Sequence, residues 1–183
     1  MQMNQTAAFE QHALLTLPGK DTFAVADAFR VGSKIGGRTL SVISWNFSSH
    51  FLGVIEHHVL ETQIIAWTLL YTADDEWILE TLDGQQGGGS CALANIHSLM
   101  ALGEKASNHL DGQSNFAYVR SPVDHRLWAV NWLVSSADEW VIGSAQVPHP
   151  KIDWRSGFRL FTSRNVPVLS HKHQIRRYDP GER

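Results

Sequence analysis

The stretch "GQQGGGSCALANIHSLM", Gly84 to Met100, sets the only cysteine of the chain between a glycine-rich approach and an apolar-periodic segment. Leu93, Ile96 and Met100 share one face at helical spacing with Leu99 beside it, so a helix is predicted over about Cys91 to Ala106. Ser90 is its predicted N-cap. A thiol in the first turn of a helix meets free backbone N–H groups and about half a unit of positive charge. That field favours the thiolate, which is the nucleophilic form. On the helical wheel Cys91 falls opposite the apolar face, near Asn95 and Ser98. The glycines allow a substrate backbone to come close. Such a nucleophile needs a base, and His125, His97 and His109 are the candidate imidazoles.

Locally, "QQGGGSCA" (85–92) resembles the nucleophile loop of papain-like cysteine peptidases. The resemblance implies that Cys91 is the nucleophile, that Gln85 helps to hold an oxyanion, and that His125, ahead of "RLWAV", is the base. The implied activity is that of a cysteine-dependent hydrolase or acyltransferase. The chain departs from the family in several places. Gly88 stands where the family has an upstream cysteine, and Gly143-Ser144 stand where its third catalytic residue, an Asn, belongs. His125 also follows Cys91 far more closely than in that family, and the β-rich stretch before the loop has no counterpart there. The alternative is a small apolar residue following a flexible connector.

Ten histidines invite a metal reading. His171 and His173 would face the same way on a strand, whereas adjacent His57 and His58 would face opposite ways. No HExxH and no cysteine pair accompanies them, so neither a metal nor another cofactor is expected. Asp75-Glu76 and Asp138-Glu139 read as acidic turns, since Asp bonds its own backbone there; acid–base work by paired carboxylates is the alternative. Trp128 and Trp132 flank Val130 on one strand face, and Trp45 lies between Ile43 and Phe47. They suit core packing or an aromatic-walled pocket, with Asn131, Ser44 and Asn46 as polar contacts from the other face. "GQQGGGS" lacks the Lys-Ser/Thr ending of a phosphate loop, which speaks against nucleotide hydrolysis.

The elements that must position these residues are mostly strands. "TFAVADAFRV" reads as a short helix or a strand, with a lean to helix. "TLSVISWNF", "FLGVIE", "TQIIAWTLLYT" and "EWILETL" read as strands, the last two as a hairpin across "TADDE". After the helix come "FAYVRS", the hairpin "RLWAVNWLV" and "EWVIGSAQV" across "SSADE", and "WRSGFRLFTS", read as an edge strand. Residues 64–79 align on 127–142 without gaps, sharing Asp-Glu-Trp. Either a β-meander is duplicated or acidic turns have converged.

The 183 residues, 43% hydrophobic and 18% charged, suit one domain, 1–183, with an N-terminal arm (1–20) and a C-terminal tail (164–183). A net charge of −3 gives no basic field for nucleic acid. There is no leader-like start, no membrane-length apolar run and no cysteine pair, so a cytoplasmic location away from membranes is expected. The expected fold is α+β: a curved antiparallel sheet of about six or more strands packed on one main helix. The expected function is a soluble binding module that holds a small ligand or a partner protein on a concave, aromatic-lined sheet. A homodimer is expected through the strand at 158–163, because unpaired edges seek partners.

Overall fold

A computed structural model describes residues 9–83, 89–108, 113–149 and 153–164. The first half contains strands β1 (Phe9–Leu17), β2 (Lys20–Ala24), β3 (Lys34–Ile35), β4 (Arg38–Ile43), β5 (Ile55–Val59), β6 (Thr62–Leu69) and β7 (Ala73–Asp74). Helices α1 (Val25–Ala28), α2 (Trp45–Phe51) and α3 (Asp75–Asp83) lie among them. Helix α4 (Leu93–Leu102) follows and runs into a 3₁₀ turn, Gly103–Ala106. Strands β8 (Asn115–Arg120), β9 (Leu127–Val134), β10 (Trp140–Gln146), β11 (Asp153–Trp154) and β12 (Arg159–Ser163) complete the described chain. No helix among the described residues is long and apolar enough to cross a membrane.

The fold is α+β, built on a mostly antiparallel eight-stranded open sheet in the order β1-β6-β12-β8-β9-β10-β4-β3. Two pairings are parallel, β12 with β8 and β10 with β4. Interior position explains the texture of β6, "TQIIAWTL". Ile64 and Ala66 enter one core and Ile65, Trp67 and Leu69 the other, so the strand reads as a nearly continuous apolar run. On one face α4 contributes Leu93, Ile96, Leu99 and Met100 against Ala117, Val130, Trp132, Ile142 and Phe161. On the other face α3 contributes Ile78, Leu79 and Leu82 against Phe116, Tyr118, Ala129 and Leu160. Both faces are thus covered, where one main helix was expected.

The β9–β10 hairpin forms as expected, with Trp140 opposite Val134 and Gln146 opposite Trp128. Asp138 takes a left-handed backbone (φ +58°) in its turn and accepts a 2.6 Å bond from Arg38 Nε. The first expected hairpin does not form, because "EWILETL" is helical. Asp74 Oδ1 accepts from Trp77 N at 2.8 Å as an N-cap, and Ile78, Leu79 and Leu82 recur at helical spacing on the buried side. Residues 64–79 and 127–142 therefore fold differently, strand into helix against strand into strand, despite their shared Asp-Glu-Trp. "WNF" is also helical rather than extended. Ser44 Oγ accepts from Phe47 N at 3.2 Å, and Phe47 and Phe51, four apart, are both buried.

"TFAVADAFRV" splits into β2 and the single turn α1. Strand β12 lies between β6 and β8, well inside the sheet, so the edge on which the homodimer expectation leaned is not an edge. The sheet's end strands are β1 and the two-residue β3. Gly36, in the turn between β3 and β4 at φ +58°, lets α4 approach closely. A Cβ there would stand 2.5 Å from the Ala101 carbonyl oxygen.

Candidate functional site

Cys91 lies two residues ahead of α4, not in its first turn, and Ala92 rather than Ser90 is the N-cap. The Cys91 backbone N–H donates to Tyr118 O at 2.7 Å, which stitches the segment to β8. Its side chain is 4% exposed within the α4 core, and its thiol donates to Phe161 O at 3.6 Å. Burial pushes the thiol up to about 12, against a Ser163 backbone N–H and with the Glu56 charge adding to the rise. A helix terminus would lower it. The expected field at the thiol is missing because another anion occupies it: Glu56, from β5, accepts from Leu93 N and Ala94 N at 2.8 Å each.

His125 is exposed in the turn after β8, with φ +57°, and its carbonyl accepts from Arg120. Among the described residues no hydrogen bond joins Cys91 to an imidazole. Gln85 and His109 lie outside the described residues, as do His171 and His173. Cys91 and His125 are therefore not brought together as nucleophile and base, and the cause is placement. Cys91 packs beside the middle of β8 and His125 lies beyond its end.

The aromatic site divides. Trp128 and Trp132 are buried in the α4 core at 4% and 0% exposure, and the Trp132 indole donates to Asn108 Oδ1. Neither can wall an open pocket. Trp45 is 77% exposed at the start of α2. Asn131 faces the other side of β9, where its Oδ1 and Ser44 Oγ crowd the space beside Gly143; a Cβ there would meet Asn131 Oδ1 at 3.1 Å. Asn46 donates to Ser144 O.

Among the described residues no three His, Cys, Asp or Glu side chains gather as a metal site. The acids beside Trp77 form an open, polar cleft of about 320 Å³ with Asp74 and Asp153 at its rim. Asp75 does not reach solvent there. It is 2% exposed and accepts from Tyr118 Oη and Trp154 Nε1.

Sequence reading missed a linked polar group near α4. The Lys20 ammonium sits 4.6 Å from the Phe23 ring centroid and interacts with Glu56. Burial raises the Glu56 carboxyl, while the Ala94 and Leu93 N–H groups and Lys20 oppose the rise. His97 lies edge-on to Phe23 and Phe29, at 5.6 and 5.5 Å. Burial, then the Lys20 charge, lowers its pKa from 6.5 to about 4. The native protein therefore binds fewer protons here than the unfolded chain between those values, and stability falls as pH drops through that window. After allowance for solvent screening of a partly exposed ring, about 1–2 kcal/mol should be lost between pH ~7.5 and ~4. Urea titrations at both pH values measure it. His97→Phe should flatten this part of the profile, and an unchanged profile would assign the dependence to other groups.

A second cleft, of about 260 Å³, is more enclosed and mostly apolar. Its walls are the turn 59–62 between β5 and β6, the approach to α4 at Ser90, Ala92 and Asn95, and Ser163 at the end of β12. The isolated bridge between Gly89 and Ser163 ties two of these walls together. Asn95 is 3% exposed and its Oδ1 accepts from Ala92 N at 3.0 Å. Thr62 is occupied by its own bond to Leu60 O. Here the glycine-rich approach ends at Gly89 and Ser90, and the Cys91 thiol is turned into the core behind the cleft. Compared with known proteins, the chain matches no family model, no curated protein and no solved structure.

Proposed function

We propose that this protein is a binding module that takes a small molecule in the cleft between the β5–β6 turn, the entry to α4 and the end of β12. One observation carries the reading: a half-open, largely apolar cleft of about 260 Å³ with a few polar residues on its wall. That is the usual make-up of a small-molecule site, though its volume falls just below the usual range of about 300–1,000 Å³. Its walls come from three separate parts of the chain, so occupancy would couple to the stability of the whole fold. The aromatic sheet face is not used, since its tryptophans are packed away. A hydrolase role for Cys91 is not carried forward, because the thiol is buried and held neutral.

A thermal-shift screen of small neutral molecules tests the reading. A ligand at about 100 times its Kd adds about 2.7 kcal/mol. For a chain of this size that is an increase in Tm of about 5–10 °C. Ala92 is half-exposed on the cleft wall, so Ala92→Trp should fill the cleft, keep the fold and abolish the shift. A shift that survives in Ala92→Trp would put the ligand elsewhere. A screen with no shift at all would favour the protein-partner form of the binding module.

A further inference from the structure

We propose, resting on that cleft as the binding site, that its ligand is an uncharged molecule with an apolar body and a carbonyl oxygen, and that Asn95 Nδ2 donates to that oxygen. The argument begins with the orientation of one amide. Ala92 N donates to Asn95 Oδ1, which fixes the oxygen toward the start of α4 and leaves the NH2 group as the other end. Asn95 is 3% exposed and borders the cleft, yet among the described residues its Nδ2 donates to nothing. That nitrogen still reaches solvent in the cleft, and a ligand that shuts the water out without offering an acceptor would leave the donor unpaired, which is costly. An acceptor supplied by a ligand removes that cost, which gives the cleft a preference by chemistry as well as by shape.

Charge narrows the class further. Among the described residues Glu61 is the one ionisable side chain on the cleft wall, and no cation accompanies it there. An anionic ligand would enter against that carboxylate with nothing to compensate its desolvation. A cationic ligand could pair with Glu61 at the exposed rim, but would leave Asn95 Nδ2, itself a donor, without an acceptor. Val59, Leu60 and Ala92 supply apolar wall for the body of the molecule, and Ser90 adds a hydroxyl. A neutral ketone, amide or lactone satisfies each of these conditions together.

The test uses the full-length ¹⁵N-labelled protein with three ring compounds of the same size: cyclohexanone, cyclohexanecarboxylate and cyclohexylammonium. They are titrated in the millimolar range expected for such small ligands. Cyclohexanone should move the Asn95 side-chain NH2 pair and the backbone amides of Leu60 and Ala92 in one saturable titration. The carboxylate should bind about tenfold more weakly or not at all, as expected for an uncompensated charge. Asn95→Asp keeps an oxygen for Ala92 N and removes the NH2 donor; it should weaken cyclohexanone about 5–10-fold, the usual worth of one hydrogen bond. The NH2 shift in the unmodified protein is an independent reading should Asn95→Asp disturb the fold. If all three compounds move the cleft amides equally and the NH2 pair stays still, the carbonyl inference is overturned while cleft binding stands. If cyclohexanone moves nothing, yet a screening hit of another chemistry loses its thermal shift in Ala92→Trp, the inference again falls alone. If no compound of any class reaches the cleft and only water fills it, both fall.

Discussion

Replacing Asp75 by alanine is expected to cost about 3–5 kcal/mol of folding stability, the range for removing one partner of a buried, charged hydrogen-bond group. Asp75 opens α3 and is 2% exposed. Its Oδ1 accepts from Tyr118 Oη at 2.8 Å and from Trp154 Nε1 at 2.7 Å, and its Oδ2 from His149 N at 3.3 Å. One carboxylate thus joins the start of a helix, the middle of β8 and the β10–β11 connection. Alanine would strand the phenol and the indole N–H in an apolar layer, where Trp154 stacks on Phe116 at 4.0 Å. Burial, the larger cause ahead of the Asp75 charge, holds the Tyr118 hydroxyl well above its ordinary pKa and persists in the alanine variant, so the phenol cannot relieve the loss by ionising. With a urea m-value of about 2 kcal/mol/M, the midpoint should fall by about 1.5–2.5 M. Asp75→Asn keeps an acceptor and should cost less, about 1–2 kcal/mol. A double-mutant cycle with Tyr118→Phe should show a coupling of about 1 kcal/mol or more. An Asp75→Ala protein within 1 kcal/mol of the parent would mean that water replaces the carboxylate at little cost.

The same residue marks the limit of what the sequence disclosed. Where strands alternate or run apolar between clear turns, as in β6, β8, β9 and β10, the pattern and the fold agree. The β9–β10 hairpin was legible because its turn residues and flanking apolar runs point the same way. Two short helices were not legible. Trp45–Phe51 and Asp75–Asp83 are rich in aromatic and β-branched residues, which favour strands, yet each begins at a side-chain cap and buries a helical stripe. The signals were present: Ser44 three residues before Phe47, and Asp74-Asp75-Glu76 in front of an Ile-Leu-x-x-Leu spacing. Propensity outweighed them. The site was harder. Asn95 and Glu56 matter through contacts with backbone N–H groups, and Glu56 reaches α4 from a strand far back in the chain. No local spacing encodes such a meeting, since the order of strands in the sheet creates it.

That displaced carboxylate also decides the fate of the thiol. Under native conditions at pH ~8, Cys91 should react with iodoacetamide about a thousandfold or more slowly than a small free thiol, because reaction requires thiolate. The factor follows from a pKa raised from 9.0 to about 12, and burial adds steric exclusion to it. Labelling should accelerate in urea as the chain unfolds, which identifies opening of the core as the route to the sulfur. The same shift predicts a loss of stability in alkali. The folded pKa lies above the unfolded one, so the neutral thiol's contribution is fully present below about 9 and is lost as pH rises toward 12. Complete loss would be about 4 kcal/mol. Cys91→Ala should remove that part of the alkaline slope at a cost of about 1 kcal/mol of packing at neutral pH. Labelling of the native protein within tenfold of a small thiol would overturn this account and return Cys91 to the list of nucleophiles. On the geometry it stays off that list, because Glu56 takes both N–H groups that a thiolate there would have used, and the sulfur is left facing the Phe161 carbonyl.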